Sequence, residues 1–103
     1  MPLIDRLKSE LDRAGRAAQG ALDEGRLRLD LFRARQTADR SAQRLGYAVF
    51  RARRADDELT IEQYAVLAAD LTAAEAEVSR YETLVAEAES RRKNTSTLPA
   101  RID

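Results

Sequence analysis

The stretch from Tyr64 to Ala88, YAVLAADLTAAEAEVSRYETLVAEA, decides the fold of this chain. Its apolar residues recur at alternating spacings of three and four, and they fill every a and d position of just over three heptads. The members of this stripe are Tyr64, Leu67, Leu71, Ala74, Val78, Tyr81, Val85 and Ala88. A stripe this narrow is typical of a helix that packs against one neighbouring helix.

The composition limits the chain to one thin helical domain. Of the 103 residues, 44% are hydrophobic and 35% are charged, but only 5% are aromatic. Such a chain buries a thin core, and its bias toward Ala, Glu, Leu and Arg is typical of long helices. The only two prolines, Pro2 and Pro99, leave everything between them free of that helix breaker.

The sequence contains neither Cys nor His. Disulfides, a thiol nucleophile, a zinc ribbon and the commonest general base are therefore excluded. No Ser, Thr or Glu stands in a pattern that pairs a nucleophile with a base, so we predict no enzymatic activity, no metal and no cofactor. Because no apolar run is long enough to span a membrane or to serve as a secretory segment, we predict a soluble, cytoplasmic protein.

Charge is distributed unevenly although the net charge is zero. Residues 1–54 carry a charge of +6, residues 55–89 a charge of −9, and residues 90–103 a charge of +3. A basic arm followed by an acidic arm can select its own pairing register in an antiparallel hairpin.

The first arm contains two apolar stripes that differ in phase. Pro2 suits a first helical turn, and the first stripe then consists of Ile4, Leu7, Leu11, Ala14, Ala18, Ala21 and Gly25. The second stripe consists of Leu27, Leu31, Ala34, Ala38, Ser41, Leu45, Ala48 and Ala52. The slip of one residue rotates the apolar face by about 100°. The segment from Gly20 to Gly25 is therefore predicted to be a kink, a break or a change of partner.

The second arm begins with a capping signal. Thr60 and Gln63 match a capping box, and Glu62 lies in the first turn, where the helix dipole favours a carboxylate. Asp56, Asp57 and Glu58 lack the spacing and the glycine of a calcium loop, so they are interpreted as part of the cap. We predict a turn at residues 56–60, a second helix at 61–91 and a disordered tail at 93–103. Residues 1–92 form one domain, an antiparallel helical hairpin or coiled coil with an N-terminal amphipathic extension.

Two pairing registers suit a turn at this position. The first sets Leu45 against Ala74 and Ala38 against Tyr81, so that large side chains meet small ones. It also brings together four pairs of opposite charge: Arg28 with Glu89, Arg35 with Glu82, Arg44 with Glu77, and Arg51 with Asp70. The second register, slipped by one heptad, offers three ion pairs and sets Leu45 against Leu67. We favour the first register, with a seam of Leu31, Ala38, Leu45, Ala48, Tyr64, Leu67, Leu71, Val78, Tyr81 and Val85.

The segment Leu45–Phe50, LGYAVF, and the hairpin after it resemble a family of small bacterial helical-hairpin proteins that often carry a C-terminal zinc ribbon. Members of that family typically start with a short amphipathic segment such as Leu3–Lys8, LIDRLK. The zinc ribbon is absent from this chain. The resemblance implies a helical hairpin and no particular activity.

The first 25 residues extend beyond a hairpin of this length, so their apolar stripe must fold back on the hairpin, contact another chain or lie on a membrane. Three kinds of partner remain open for the chain as a whole. We favour self-association, with a dimer as the simplest product, through Ile4, Leu7, Leu11, Val49, Phe50 and Ile61. A nucleic acid is the second possibility, because one basic row recurs every seven residues and includes Tyr47. That row consists of Arg26, Arg33, Arg40 and Arg54, and it is diluted by Asp30 and Asp39. A membrane surface bound by residues 3–18 is the third, opposed by several carboxylates and the lack of Trp or Phe there.

Overall fold

Two helices make up the part of the chain that the structure describes. The computed structural model describes the backbone of residues 2–97 and the side chains of residues 2–94. Helix α1 spans Pro2–Arg54 and helix α2 spans Ile61–Thr97. The helices pack side by side, and no strand occurs in residues 2–97. The predicted all-α hairpin with a helical N-terminal extension is confirmed.

Helix α1 is unbroken, so of the three alternatives predicted for Gly20–Gly25 the kink and the break are wrong, whereas a change of partner is not contradicted. The described residues extend over 82 Å, which matches the length of about 80 Å for an uninterrupted helix of this size. Each glycine weakens the helix by about 1 kcal/mol relative to alanine. An unbroken helix nevertheless retains the backbone hydrogen bonds that would be lost at a break. Residues 4–21 consequently continue the first helix and do not fold back on the hairpin.

The hairpin itself begins at Glu24. Every side chain from Pro2 to Asp23 is exposed, and Glu24 is the first half-buried residue of α1. The preceding part of α1, which we call the overhang (residues 2–23), is therefore a single helix about 33 Å long with no packing partner among the described residues.

The seam between the helices is narrow. Its buried members are Leu31, Ser41, Ala74 and Val85, and no described side chain is completely enclosed. The other predicted seam residues on both arms, except Tyr64, are half-buried: Ala38, Leu45, Ala48, Leu67, Leu71, Val78 and Tyr81. The thin core expected from the composition is the one observed.

Tyr64 is the exception, and the prediction that it is a core aromatic is wrong. It is 53% exposed. In the observed register Tyr64 faces position 55, which lies one residue beyond the end of α1. The helical stripe continues to Tyr64, but the opposing helix does not.

Ion pairs across the seam identify the register. Arg28 lies 3.5 Å from Glu89, and Arg35 lies 3.3 Å from Glu82. A slip of one heptad would move both pairs about 10 Å apart. The first of the two predicted registers is therefore confirmed.

The other two predicted cross-pairs, Arg44 with Glu77 and Arg51 with Asp70, do not form among the described residues. The carboxylate of Glu77 instead accepts hydrogen bonds from Arg80 at 2.8 and 3.0 Å. The guanidinium of Arg51 lies over the ring of Tyr47, 5.7 Å from its centroid. An exposed pair contributes only about 0.2–1 kcal/mol, so a partner one turn away on the same helix competes successfully with one across the seam.

The turn is closed by a backbone motif at the end of α1. The N–H of Asp57 donates to the carbonyl of Ala52 at 2.8 Å, and the N–H of Asp56 donates to that of Arg53 at 3.0 Å. Asp56 has a φ of 56°, in the left-handed region. This arrangement is a Schellman motif, in which the left-handed position is usually glycine.

The start of α2 has the predicted capping box. The N–H of Gln63 donates to Oγ1 of Thr60, and the N–H of Thr60 donates to Oε1 of Gln63, both at 3.1 Å. Two N–H groups that the helix itself leaves unpaired are thereby satisfied.

Helix α2 ends at Thr97, beyond the predicted end near residue 91. Polar residues such as Asn94 and Thr95 destabilise a helix by only about 0.5 kcal/mol each relative to alanine. The stronger signal in the sequence is Pro99, which disfavours helical geometry at the residue before it. Residues 93–97 of the predicted disordered tail are helical, so that part of the prediction is wrong. Residues 98–103 of the predicted tail lie outside the described residues.

The left-handed position generates a first prediction. Asp56→Gly removes the steric cost of a positive φ, whereas Asp56→Ala retains the Cβ and loses the short polar side chain that tolerates this region. We expect the glycine variant to unfold at a higher urea concentration than the alanine variant, with a difference of about 1 kcal/mol. Circular dichroism at equal protein concentration measures it, and equal midpoints would contradict the assigned turn.

A second prediction tests the seam. Leu71→Asp places a carboxylate against Ala48, and we expect it to lower the free energy of unfolding by roughly 2 kcal/mol or more. Thr37→Asp is the matched control, because it adds the same charge at an exposed position of α1 outside the seam, and Thr and Asp have similar helix propensities. Thermal melts followed by circular dichroism compare the two. The seam is misassigned if both variants melt alike.

Candidate interaction surfaces

Helix α1 has apolar side chains on two opposite sides. Leu27 and Leu31 face α2, and Leu29 lies two residues from each, which places it about 200° around the helix. We call this side the outer face of α1. Its large apolar residues are each between 46% and 72% exposed. They are Ile4, Leu7, Leu11, Leu22, Leu29, Phe32, Tyr47 and Phe50.

The outer face explains the change of phase in the sequence. The stripe that starts at Ile4 does not stop at Gly25 but continues through Leu29 and Phe32 along the side of α1 that points away from α2. The second stripe is a separate face that begins where the hairpin begins. Sequence reasoning missed Leu22, Leu29 and Phe32, although their spacing of three and four residues continues the first stripe.

The residues predicted for self-association do not form one patch. Ile4, Leu7, Leu11 and Phe50 share the outer face, spread along most of α1. Val49 is exposed beside the hairpin seam, and Ile61, 83% exposed, starts α2. The structure therefore divides the predicted set between the outer face and two smaller sites near the turn.

A basic row runs beside the outer face. Arg26, Arg33, Arg40 and Arg54 are all exposed, and in the described chain none of them lies within ion-pair distance of a carboxylate. Tyr47 belongs to the same row and carries the guanidinium of Arg51 over its ring. The predicted stripe is present as a geometric feature, with its charges available to a partner.

The outward side of α2 differs in size and charge from that of α1. Over residues 65–90, two of its three outward columns contain only small uncharged residues, all of them exposed: Ala65, Ala69, Thr72, Ala76, Ser79, Thr83, Ala86 and Ser90. The third outward column contains Val66, Ala73, Arg80 and Glu87, also exposed. The hydroxyls of Thr72 and Thr83 donate to carbonyls one turn back in their own helix, at 2.8 and 3.1 Å. The two columns of small residues are therefore smooth and present few free polar groups.

Carboxylates flank those small residues. Glu62, Glu75 and Glu87 are exposed and form no ion pair within the described chain. They differ from Glu82 and Glu89, which pair with arginines of α1. The unpaired charges of the hairpin are thus positive on the outside of α1 and negative on the outside of α2.

A cluster of charges closes the open end of the hairpin. Glu24 accepts hydrogen bonds from Nε of Arg92 at 2.9 Å and from Nη2 of Arg28 at 3.0 Å, and its side chain is only 12% exposed. The hydrogen bond from Arg92, followed by that from Arg28, lowers the pKa of Glu24. Because the pKa of Glu24 is lowered on folding, its hydrogen bonds to the two arginines stabilise the folded state fully at a pH above the usual carboxyl pKa. That stabilisation is lost as the pH falls through the lowered pKa.

The carboxylates of the turn interact with neighbouring backbone and side-chain groups. Oδ1 of Asp57 accepts the N–H of Glu58 at 2.8 Å, and Glu58 lies 3.7 Å from Arg53. Within the described residues, no group of three or more His, Cys, Asp or Glu side chains is arranged to hold a metal ion. A shallow groove beside the turn is lined mainly by apolar side chains, among them Ala48, Leu59 and Val66.

Neither described helix combines the length and the apolar character needed to cross a bilayer. Comparisons with protein-family models, with curated proteins and with solved structures found no match. The resemblance to small bacterial helical-hairpin proteins stays a prediction, and function has to be argued from the surfaces themselves.

Proposed function

We propose that this protein is a non-catalytic, cytoplasmic structural or adaptor module that self-associates by helix packing. The supporting observation is the outer face of α1, where eight large apolar side chains lie along one side of a helix and nothing in the described chain covers them. These side chains form two groups, one over residues 4–32 and one at Tyr47 and Phe50, separated on the same side by Gln36, Asp39 and Gln43. Large exposed apolar groups are typical of an interaction site.

A second copy is the simplest partner for such a face. A two-helix hairpin with a thin seam is marginal on its own, and oligomerisation is a common way for small domains to bury more apolar surface. The overhang adds to the need, since most helical stability in proteins comes from tertiary packing of an apolar face, and the overhang has no such packing among the described residues. Self-association would stabilise both parts of the molecule.

The nucleic-acid alternative rests on the basic row and its aromatic neighbour Tyr47. Arginines interleaved with aromatic side chains suit a phosphate backbone and its bases. Against it, Asp30 and Asp39 lie on the same helix, and α2 places an acidic surface within the same narrow module. A phosphate backbone lying along α1 would be repelled by α2.

The membrane alternative assigns residues 3–18 to a lipid surface. That contact would cover Ile4, Leu7 and Leu11 but leave Phe32 and Phe50 of the same outer face in water. A partner that covers only a third of the exposed face explains the structure less well than one that can follow the whole helix.

Self-association generates a third prediction. At tens of micromolar we expect the full chain to have the mass of a dimer or larger by light scattering. Leu29→Glu should reduce that mass, because it places a charge in the proposed contact. Ser9→Glu, which lies on the opposite side of α1, should not. A wild-type monomer at these concentrations would contradict the proposed function.

A fourth prediction concerns nucleic acids. At physiological salt we expect no mobility shift of DNA or RNA by the wild-type chain. The opposite result would be tight binding that weakens steeply with added salt and disappears when the basic row is changed to glutamine. The control replaces arginines on the overhang instead: Arg6, Arg13 and Arg16.

A further inference from the structure

We propose that the outer face of α1 docks against the outward side of α2 of a second copy, so that copies associate head to tail. This inference rests on the proposed self-association and identifies the two surfaces that meet. It follows from the charge, the size and the placement of the side chains that the hairpin leaves unpaired.

Charge selects α2 as the partner surface. Residues 26–54 of α1 contain nine arginines and two aspartates, whereas residues 61–89 of α2 contain seven carboxylates and one arginine. Within the described residues, only Arg28 and Arg35 of that part of α1 form ion pairs across the seam. The unpaired arginines of the basic row therefore match the unpaired Glu62, Glu75 and Glu87 on the other helix.

The same charges oppose an antiparallel contact between two α1 helices, because the basic row would face its own copy. Contacts between like charges are selected against in helix pairing. In a parallel pair the row would face the other flank of the outer face, where Asp39 lies and where Arg53 is paired with Glu58, so the choice against that arrangement rests on side-chain size.

Side-chain size agrees with the choice. The outer face of α1 presents Leu29, Phe32, Tyr47 and Phe50, which need space on the surface they meet. Over residues 65–90, the two columns of small residues on the outward side of α2 present only Ala, Ser and Thr. Large side chains against small ones pack at even density and let two helices approach closely.

The placement of the two faces determines the kind of assembly. Each face points away from the hairpin seam, so the two lie on opposite edges of the molecule. A contact between unlike faces is heterologous, and it leaves one free face of each kind at the ends of the assembly. Association should therefore continue past the dimer as concentration rises, whereas the sequence alone favoured a dimer.

Two variants test the assignment by blocking one face each. The first, Arg33→Glu with Arg40→Glu, makes the outer face of α1 acidic. The second, Glu75→Arg with Glu87→Arg, makes the outward side of α2 basic. Arg and Glu are both good helix formers, so the hairpin should fold in each case, and circular dichroism checks this.

We expect each variant alone to associate at least tenfold more weakly than the wild type in light scattering across a concentration series. An equimolar mixture should regain association, because the acidic α2 of the first variant meets the unaltered α1 of the second. The control variant, Arg13→Glu with Arg16→Glu, changes net charge by the same amount on the side of the overhang opposite to the outer face. It should associate like the wild type.

The outcomes are separable. If the wild type is a monomer, the proposed function fails and this inference fails with it. If the wild type associates and so does the second variant alone, the contact joins two α1 helices and only the inference is overturned. A mixture that stays dissociated, or two variants that both behave like the wild type, also overturns it. A monomeric wild type that binds phosphatidylcholine–phosphatidylserine vesicles, with binding lost in the first variant, would assign the outer face to lipid.

Discussion

The structure depends on a single narrow seam of a and d residues between α1 and α2. Only four described residues are buried there, and the largest of them are Leu31 and Val85. Each cross-seam ion pair contributes little, about 0.2–1 kcal/mol, so apolar contact holds the helices together while the charges select the register. A seam this thin encloses no described side chain completely, so most of the large apolar and charged side chains of the described chain lie on its surfaces.

The unequal length of the two helices has the next largest effect on the structure. Helix α1 extends 22 residues beyond the point at which α2 supports it. Backbone hydrogen bonds keep the overhang helical, but Gly15 and Gly20 weaken it by about 1 kcal/mol each, and no tertiary contact among the described residues compensates. The overhang is therefore the part of the molecule whose stability would respond most to a partner that covers its outer face.

Periodicity in the sequence was enough to predict the helices, the seam, the register and the capping box, since each depends on local spacing and on large side chains meeting small ones. It could not predict what depends on the end of another element. Tyr64 continues a regular stripe, and only the end of α1 at Arg54 leaves it exposed. The outer face was missed for a different reason: a one-residue change of phase looks the same in a sequence whether the helix breaks or one straight helix carries two faces. Arg51 shows a third limit, because a ring one turn away competes with a carboxylate across the seam at similar energy.

The charge pattern is better explained by an assembly than by the hairpin alone. Register selection requires opposite charges only at the positions beside the seam, where Arg35 meets Glu82. It does not require arginines on the outside of α1 or carboxylates on the outside of α2. It also does not explain why a chain with zero net charge has one strongly basic edge and one strongly acidic edge. Two basic edges repel each other, as do two acidic edges, whereas a basic edge attracts an acidic one. Contact between neighbouring copies would therefore neutralise the charges that the seam leaves unpaired within each hairpin. Ion pairs at the rim of such a contact are screened by salt, whereas the apolar side chains of the outer face are not. The apolar face would thus supply the affinity of the contact, and the charges would determine which face it meets.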